Sequence, residues 1–180
     1  MLKPSDKWTW YYDDKESTLM LDLGDDIVFK TNLPRKLLVD CAVGINEFSV
    51  DDASAFQTFK EQISLLPLNE PRQAELALYC VAAKRFHKPV QPKSWFFDSQ
   101  HGECFPQEGD LVRLTNQFSD RCFITLEVGE SASLVALIDI EPFELSSTKQ
   151  LVFGQAIKVM HDRMSLANDM FQNQPIALVS

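Results

Sequence analysis

The sequence predicts an α+β protein: an N-terminal α/β domain made of a three-stranded meander and about three helices, then a small β-barrel-like domain with a short C-terminal helix. Three observations carry that expectation. Apolar residues alternate at period two between Trp8 and Lys30, as half-buried strands require. Between Asp51 and Phe86 they fall instead at helical spacings, giving faces that must be buried. From Leu111 onward, short apolar runs are cut at intervals by turn residues, the texture of a small barrel or sandwich.

Taken in order, Trp8, Trp10 and Tyr12 alternate with Thr9 and Tyr11, a strand with one aromatic face. Residues 13–16 are a polar turn. Leu19, Leu21 and Leu23 then alternate with Thr18, Met20 and Asp22, and Gly24-Asp25 turns the chain into a third strand at 27–30. A meander this small cannot bury its aromatic face alone, so helices must cover it. Asn32 and Pro34 suit the start of a short helix with Leu37 and Leu38 inward and Arg35 and Lys36 outward. Residues 41–48 read as loop around Gly44. Asp51 or Asp52 caps the next helix, whose Phe56, Phe59, Ile63 and Leu66 form one stripe. Residues 67–70 break it, and Pro71 opens another helix running to about Phe86, with Ala74, Ala77, Leu78 and Val81 inward. Strands are then expected at 95–97, 111–115, 122–128, 134–138, 143–145 and 151–153. After Gly154, Ala156, Ile157, Met160 and Met164 fall at helical spacing. The expected domains are 1–92 and 93–164, with residues 165–180, which lack a period, as a loosely ordered tail.

At 180 residues the chain is long enough to bury a real core, and 45% hydrophobic with 24% charged residues is ordinary for a soluble globular protein. A net charge of −9 disfavours general binding to nucleic acid or anionic membranes. No apolar run reaches the length of a membrane span, and residues 1–7 lack the apolar stretch of a secretory leader. Cys41, Cys80, Cys104 and Cys122 are far apart with no paired metal spacing, as expected of reduced thiols in the cytoplasm.

The seam between the halves is residues 84–97. Lys84, Arg85, Lys88 and Lys93 all precede the first acid, Asp98, while Pro89 and Pro92 bar a regular helix. The helix dipole favours cations in a last turn by roughly 0.3–1 kcal/mol each, which accounts for Lys84 and Arg85 but not for Lys93. Phe96 beside Lys93 and Ser94 makes an apolar centre rimmed by a cation, as at protein-binding hot spots. On an acidic chain such a patch points to an acidic protein partner. A competing reading is a small-barrel nucleic-acid-binding module using the basic and aromatic stretch 84–97. Against it, residues 99–180 carry five basic and eleven acidic side chains, 5 − 11 = −6.

Catalytic chemistry finds little foothold. His87, His101 and His161 are scattered. His101-Gly-Glu-Cys104 offers two metal ligands where zinc takes about four, or three with a water, so it reads as a turn entering a strand. There is no glycine-rich phosphate loop and no Gly-x-Ser-x-Gly elbow. Asp25-Asp26 and Asp51-Asp52 sit where a turn and a helix cap want acids. No catalytic residue, cofactor or metal is expected.

Several segments together resemble the bacterial cell-division family ZapC, the Z-ring-associated protein C. They are Trp8-Thr-Trp-Tyr-Tyr-Asp13, Met20-Leu-Asp-Leu23, Arg35-Lys-Leu-Leu38, Gln73-Ala-Glu-Leu76, Lys88-Pro89 with Pro92-Lys-Ser-Trp95, His101-Gly-Glu103 and Gly154-Gln-Ala-Ile-Lys-Val-Met-His-Asp-Arg163. The ordered set runs to about Met164, while the loops at 40–48 and 117–121 depart from the pattern. The resemblance implies a cytoplasmic, monomeric, non-enzymatic protein at the mid-cell division ring. Its partner there is FtsZ in polymerised form, whose filaments it bundles laterally and whose GTPase it damps. It also implies an N-terminal α/β domain and a twisted, barrel-like C-terminal domain, each with a pocket. By matching motifs, Leu21, Arg35 and Lys36 belong to the first FtsZ-binding site. Lys88 and Lys93 belong to the second, with Trp95 as its apolar floor.

Overall fold

Aromatic alternation in the first strands sets the N-terminal sheet of the computed structural model, which describes residues 2–171. Strands β1 (Thr9–Asp13), β2 (Thr18–Asp22) and β3 (Val28–Pro34) form the expected antiparallel meander, with Trp10 opposite Leu21 and Leu21 opposite Phe29. Trp8, Trp10, Leu19, Leu21 and Leu33 are buried on its inner face. A fourth strand, β4 (Asn46–Glu47), pairs with β1 within what the sequence presents as loop, giving the order β3-β2-β1-β4. The expected helix after Asn32 is absent. Instead β3 continues to Pro34 and only a 3-10 turn, Arg35–Leu37, follows. Asn32 lies within β3 and caps no helix: its side-chain Nδ2 donates to the Gly154 carbonyl at 2.9 Å, and Thr18 Oγ1 donates to the Leu33 carbonyl at 2.9 Å, holding this segment extended.

The N-terminal half therefore has two α-helices rather than about three. α1 (Val50–Ile63) is capped by Ser49, not by either aspartate: Ser49 Oγ accepts from the Asp52 amide at 3.1 Å, and Asp52 Oδ2 accepts from the Ser49 amide at 2.9 Å. Phe56, Phe59 and Ile63 face the core as their spacing requires. α2 (Glu70–Phe86) starts at the Asn69 cap with Pro71 in its first turn. It packs against both β3 and a strand of the second sheet, so Leu76 to Ala83 are buried on most sides, Tyr79 excepted. No described helix is long and apolar enough to cross a membrane.

The second sheet contains β5 (Leu111–Thr115), β6 (Asp120–Val128), β7 (Ala132–Leu137), β10 (Ala156–Met160) and β11 (Ser165–Leu166), with β8 (Phe143–Glu144) and β9 (Gln150–Leu151) as a separate small hairpin. Its order is β10-β7-β6-β5-β11, and the two outer strands do not pair with each other, so the expected barrel does not close. β10 replaces the expected C-terminal helix. Ile157 and Val159 are buried between less buried Ala156, Lys158 and Met160, and pairing with β7 selects the strand over the helical spacing. Residues 95–97 also depart from expectation, forming the end of a 3-10 turn, Ser94–Phe96, and not a strand. The turn is held from outside: the Met160 amide donates to Ser94 Oγ at 2.9 Å and Arg163 Nε to the Ser94 carbonyl at 3.3 Å. Residues 165–171, expected within the loose tail, include β11, the buried Ala167, and Asn168, whose Oδ1 accepts from the Leu111 amide at 2.7 Å. The rest of that tail, 172–180, lies outside the described residues.

Both faces of the second sheet are covered, which is why every residue of β7 is buried. Leu111, Ile124, Leu126, Leu134 and Ala136 join the helices and the inner face of the first sheet in one continuous core. Val112, Leu114, Phe123, Val135 and Leu137 pack on the far side beneath Phe97, Phe143 and Leu145. Gly154 marks a close approach of the C-terminal half to α2. It has φ +78°, and a Cβ there would sit 2.3 Å from Tyr79 Cδ2 on α2.

Candidate partner-binding site

The connector's cations divide into two kinds. Lys84 pairs with Glu108, and Arg85 pairs with the buried carboxylate of Asp52 while also donating to the Glu47 carbonyl at 2.8 Å. Both are engaged within the fold. Lys88 and Lys93 are exposed and, among the described residues, neither forms an ion pair.

Backbone pairing draws the two predicted basic groups alongside each other. The Lys88 amide donates to the Leu37 carbonyl at 2.8 Å and the Val39 amide to the Phe86 carbonyl at 2.9 Å, with an isolated bridge between Leu38 and His87. Arg35 and Lys36 therefore lie on the segment zipped to Lys88. Arg35 is tethered, its guanidinium donating to Asp40 Oδ1 at 3.0 Å, whereas exposed Lys36 forms no ion pair among the described residues. Leu21 is elsewhere. It is wholly buried on the inner face of the first sheet, where it supports the fold and touches no solvent.

Beyond Lys88 the connector runs along the edge of β10, the Lys93 amide donating to the Lys158 carbonyl at 2.8 Å. Between connector, β10 edge and the β8–β9 hairpin lies a cleft of about 480 Å³. Its cationic wall is Lys93, Lys149 and Lys158; Leu37, Phe96 and Ile157 supply apolar surface, and no acidic side chain lines it. Such a cleft attracts carboxylates, with exposed charge pairs contributing about 0.2–1 kcal/mol each and weakening as salt rises. Lys149 and Lys158 are missed by sequence reasoning. Lys158 is hidden by the helical spacing of 156–164, although its place between Ile157 and Val159 is an alternation that marks it as facing away from the core.

Trp95 is 70% exposed and is therefore a surface aromatic, not a floor. Its ring centroid lies 5.5 Å from that of Phe96. With Phe118 it borders a shallow hollow of about 210 Å³ that shares Phe96 and Leu145 with the lysine-lined cleft. At the other candidate cluster, His101 and Glu103 are exposed while Cys104 is buried, and burial, then Asp110, push its thiol pKa up. Among the described residues, no group of three or more His, Cys, Asp or Glu is placed to hold a metal ion.

Two family models together span most of the chain: "Cell-division protein ZapC, N-terminal" matches residues 1–88 and "Cell-division protein ZapC, C-terminal" matches residues 89–170. The chain is 62% identical to the cell division protein ZapC of Vibrio cholerae serotype O1 over 180 residues, all of both chains. It is 55% identical to that of Aliivibrio salmonicida over 165 residues, 92% of each chain. To the protein of the same name from Proteus mirabilis it is 36% identical over 167 residues, 92% of this chain and 90% of the relative.

Proposed function

The chain belongs to the ZapC family of cell-division proteins, and from that premise we propose that it is a non-enzymatic, cytoplasmic accessory of the mid-cell division ring. In this reading it binds polymerised FtsZ as a monomer, promotes lateral association of the filaments and damps their GTPase activity. One observation carries the reading beyond family membership: Lys88 and Lys93 are exposed and without ion pairs among the described residues, on a chain of net charge −9. FtsZ is acidic, so two net-negative proteins must meet through a local patch of opposite sign. The cations steer and orient, while apolar contacts supply most of the affinity. Lys36 and Arg35, zipped beside Lys88, extend the basic surface, and exposed Trp95 offers the aromatic contact. Leu21, being buried, bears on the site only by supporting β3, the strand that leads into Arg35 and Lys36.

Sedimentation of GTP-polymerised FtsZ with wild type and with a Lys88→Glu, Lys93→Glu variant of verified fold tests this. Wild type is expected in the pellet and the variant in the supernatant. If both pellet, the partner stands and the site is wrong. If neither does, the reading fails. Bundling by a monomer further requires two filament-binding surfaces or a shift in the filament's own state. Under the first route, disabling one surface leaves binding and abolishes bundling, and loss of both together counts against it.

A further inference from the structure

We propose that Met170 is an oxidation site and a cover for the Cys122 thiol. A hydroperoxide converts its thioether to the sulfoxide, whose oxygen turns into the cavity beside Arg113 and Arg121 and leaves Cys122 open to modification. This chemistry lies on the helix-facing side of the second sheet and is independent of which partner the connector's lysines bind.

Three groups meet at the thioether. Arg113 on β5 and Cys122 on β6 stand directly opposite each other across the two strands. Both aim at Met170 Sδ: Arg113 Nη2 donates to it at 2.9 Å, and the Cys122 thiol donates at 3.3 Å. The segment that brings Met170 here is fastened to the same sheet. The Ala167 amide donates to the Leu111 carbonyl at 2.8 Å, and Asn168 Nδ2 donates to Asp110 Oδ1 at 3.1 Å. On its other side Met170 lines a cavity of about 420 Å³, together with Leu66, Ile138, Arg113 and Arg121. The thioether therefore sits between a buried thiol and an open space that holds two guanidinium groups.

Exposure selects this sulfur. Met170 is 44% exposed, against 8% for Met20 and 2% for Met164. Cys122 is buried, and burial is the main cause that pushes its thiol pKa up, so it stays protonated and a poor nucleophile. A thioether has no proton to lose. Its Sδ lone pair attacks one oxygen of the hydroperoxide and the O–O bond breaks. With hydrogen peroxide, the transferred hydroxyl gives its proton to the departing hydroxide, which leaves as water. Sulfur gives up two electrons and the peroxide gains them. The sulfoxide oxygen is a stronger acceptor than the thioether, so it is drawn to the guanidinium groups lining the cavity. Turning toward them carries the side chain off Cys122. Water then reaches the thiol, the burial that held it protonated is relieved, and its thiolate fraction rises. Oxidation of Met170 thus precedes and permits modification of Cys122.

The test treats the full chain with hydrogen peroxide and maps oxidation by peptide mass spectrometry. Dithiothreitol then restores the thiols and leaves the sulfoxide in place, after which alkylation of Cys122 by N-ethylmaleimide is followed. Met170 is expected to oxidise about tenfold faster than Met20 or Met164, and Cys122 to be alkylated about tenfold faster than before treatment. Met170→Leu keeps an apolar cover without an oxidisable sulfur, so peroxide is expected to leave its Cys122 rate unchanged. In the wild type, a methionine sulfoxide reductase is expected to return the rate to its starting value. Oxidation of Met170 no faster than that of Met164 overturns the proposal. So does a Cys122 rate that peroxide leaves unchanged in the wild type, that rises equally in Met170→Leu, or that stays high after the reductase.

Discussion

Asp52 is only 3% exposed, and its Oδ2 is a meeting point for distant parts of the chain. It accepts from Trp10 Nε1 at 3.0 Å, from the Ser49 amide at 2.9 Å and from the Arg85 guanidinium, which is itself bonded to the Glu47 carbonyl. One carboxylate thus ties β1, β4, the start of α1 and the end of α2. Removing it orphans a buried indole N–H and leaves a cation short of its partner, although water reaches part of the Arg85 side chain. Asp52→Ala is predicted to lower unfolding free energy by about 2–4 kcal/mol, measured by urea titration, with Asp52→Asn recovering part. In the sequence, Asp52 reads as one of two possible helix caps and Arg85 as a cation favoured by the helix dipole. Both are sound local readings. Neither residue type nor spacing announces a contact across 33 positions.

Strand β10 shows how an element is decided from outside itself. Ile157 and Met160 fit a helical stripe, and Ile157 and Val159 fit a strand face; β7 alongside settles the choice by pairing with every residue from Ala156 to Met160. The end of this strand carries a titratable group. His161 Nε2 lies 2.7 Å from Ser133 Oγ on β7, and burial lowers the ring's pKa from its usual 6.5. The fold therefore favours the neutral ring. Its contribution to stability is complete above pH 6.5 and declines as pH falls through that value toward the lower folded pKa. The urea midpoint is predicted to fall between pH 7 and pH 5, and to fall less in His161→Gln. An identical decline in both proteins would mean that other groups cause it.

Across the whole molecule, the largest core runs from Trp8 on the first sheet through both helices to Leu134 and Ala167 in the second half. The proposed units 1–92 and 93–164 thus share apolar surface, and separating them bares the side of α2 that packs on β6. Cooperative unfolding as one unit follows. Urea curves followed by far-UV circular dichroism and by emission of buried Trp8 and Trp10 are predicted to superimpose. Two separated transitions would show the halves to be independently stable. The same arrangement explains why the C-terminal sheet needs no closure: helices cover one face, and the connector turn with the β8–β9 hairpin covers the other.

By itself the sequence determined the first meander, the two long helices, most strands of the second sheet, the acidic balance and the ordered motifs of the family. These are local properties, because alternation, caps and helical stripes report how side chains lie relative to their own backbone. Tertiary structure alone decided that Leu21 is core, that Lys84 and Arg85 are engaged within the fold, and that Lys93 shares a cleft with Lys149 and Lys158. Ion pairs, strand edges and clefts depend on partners brought from far along the chain, so whether a cation is free for another molecule is settled only when the fold has chosen its neighbours.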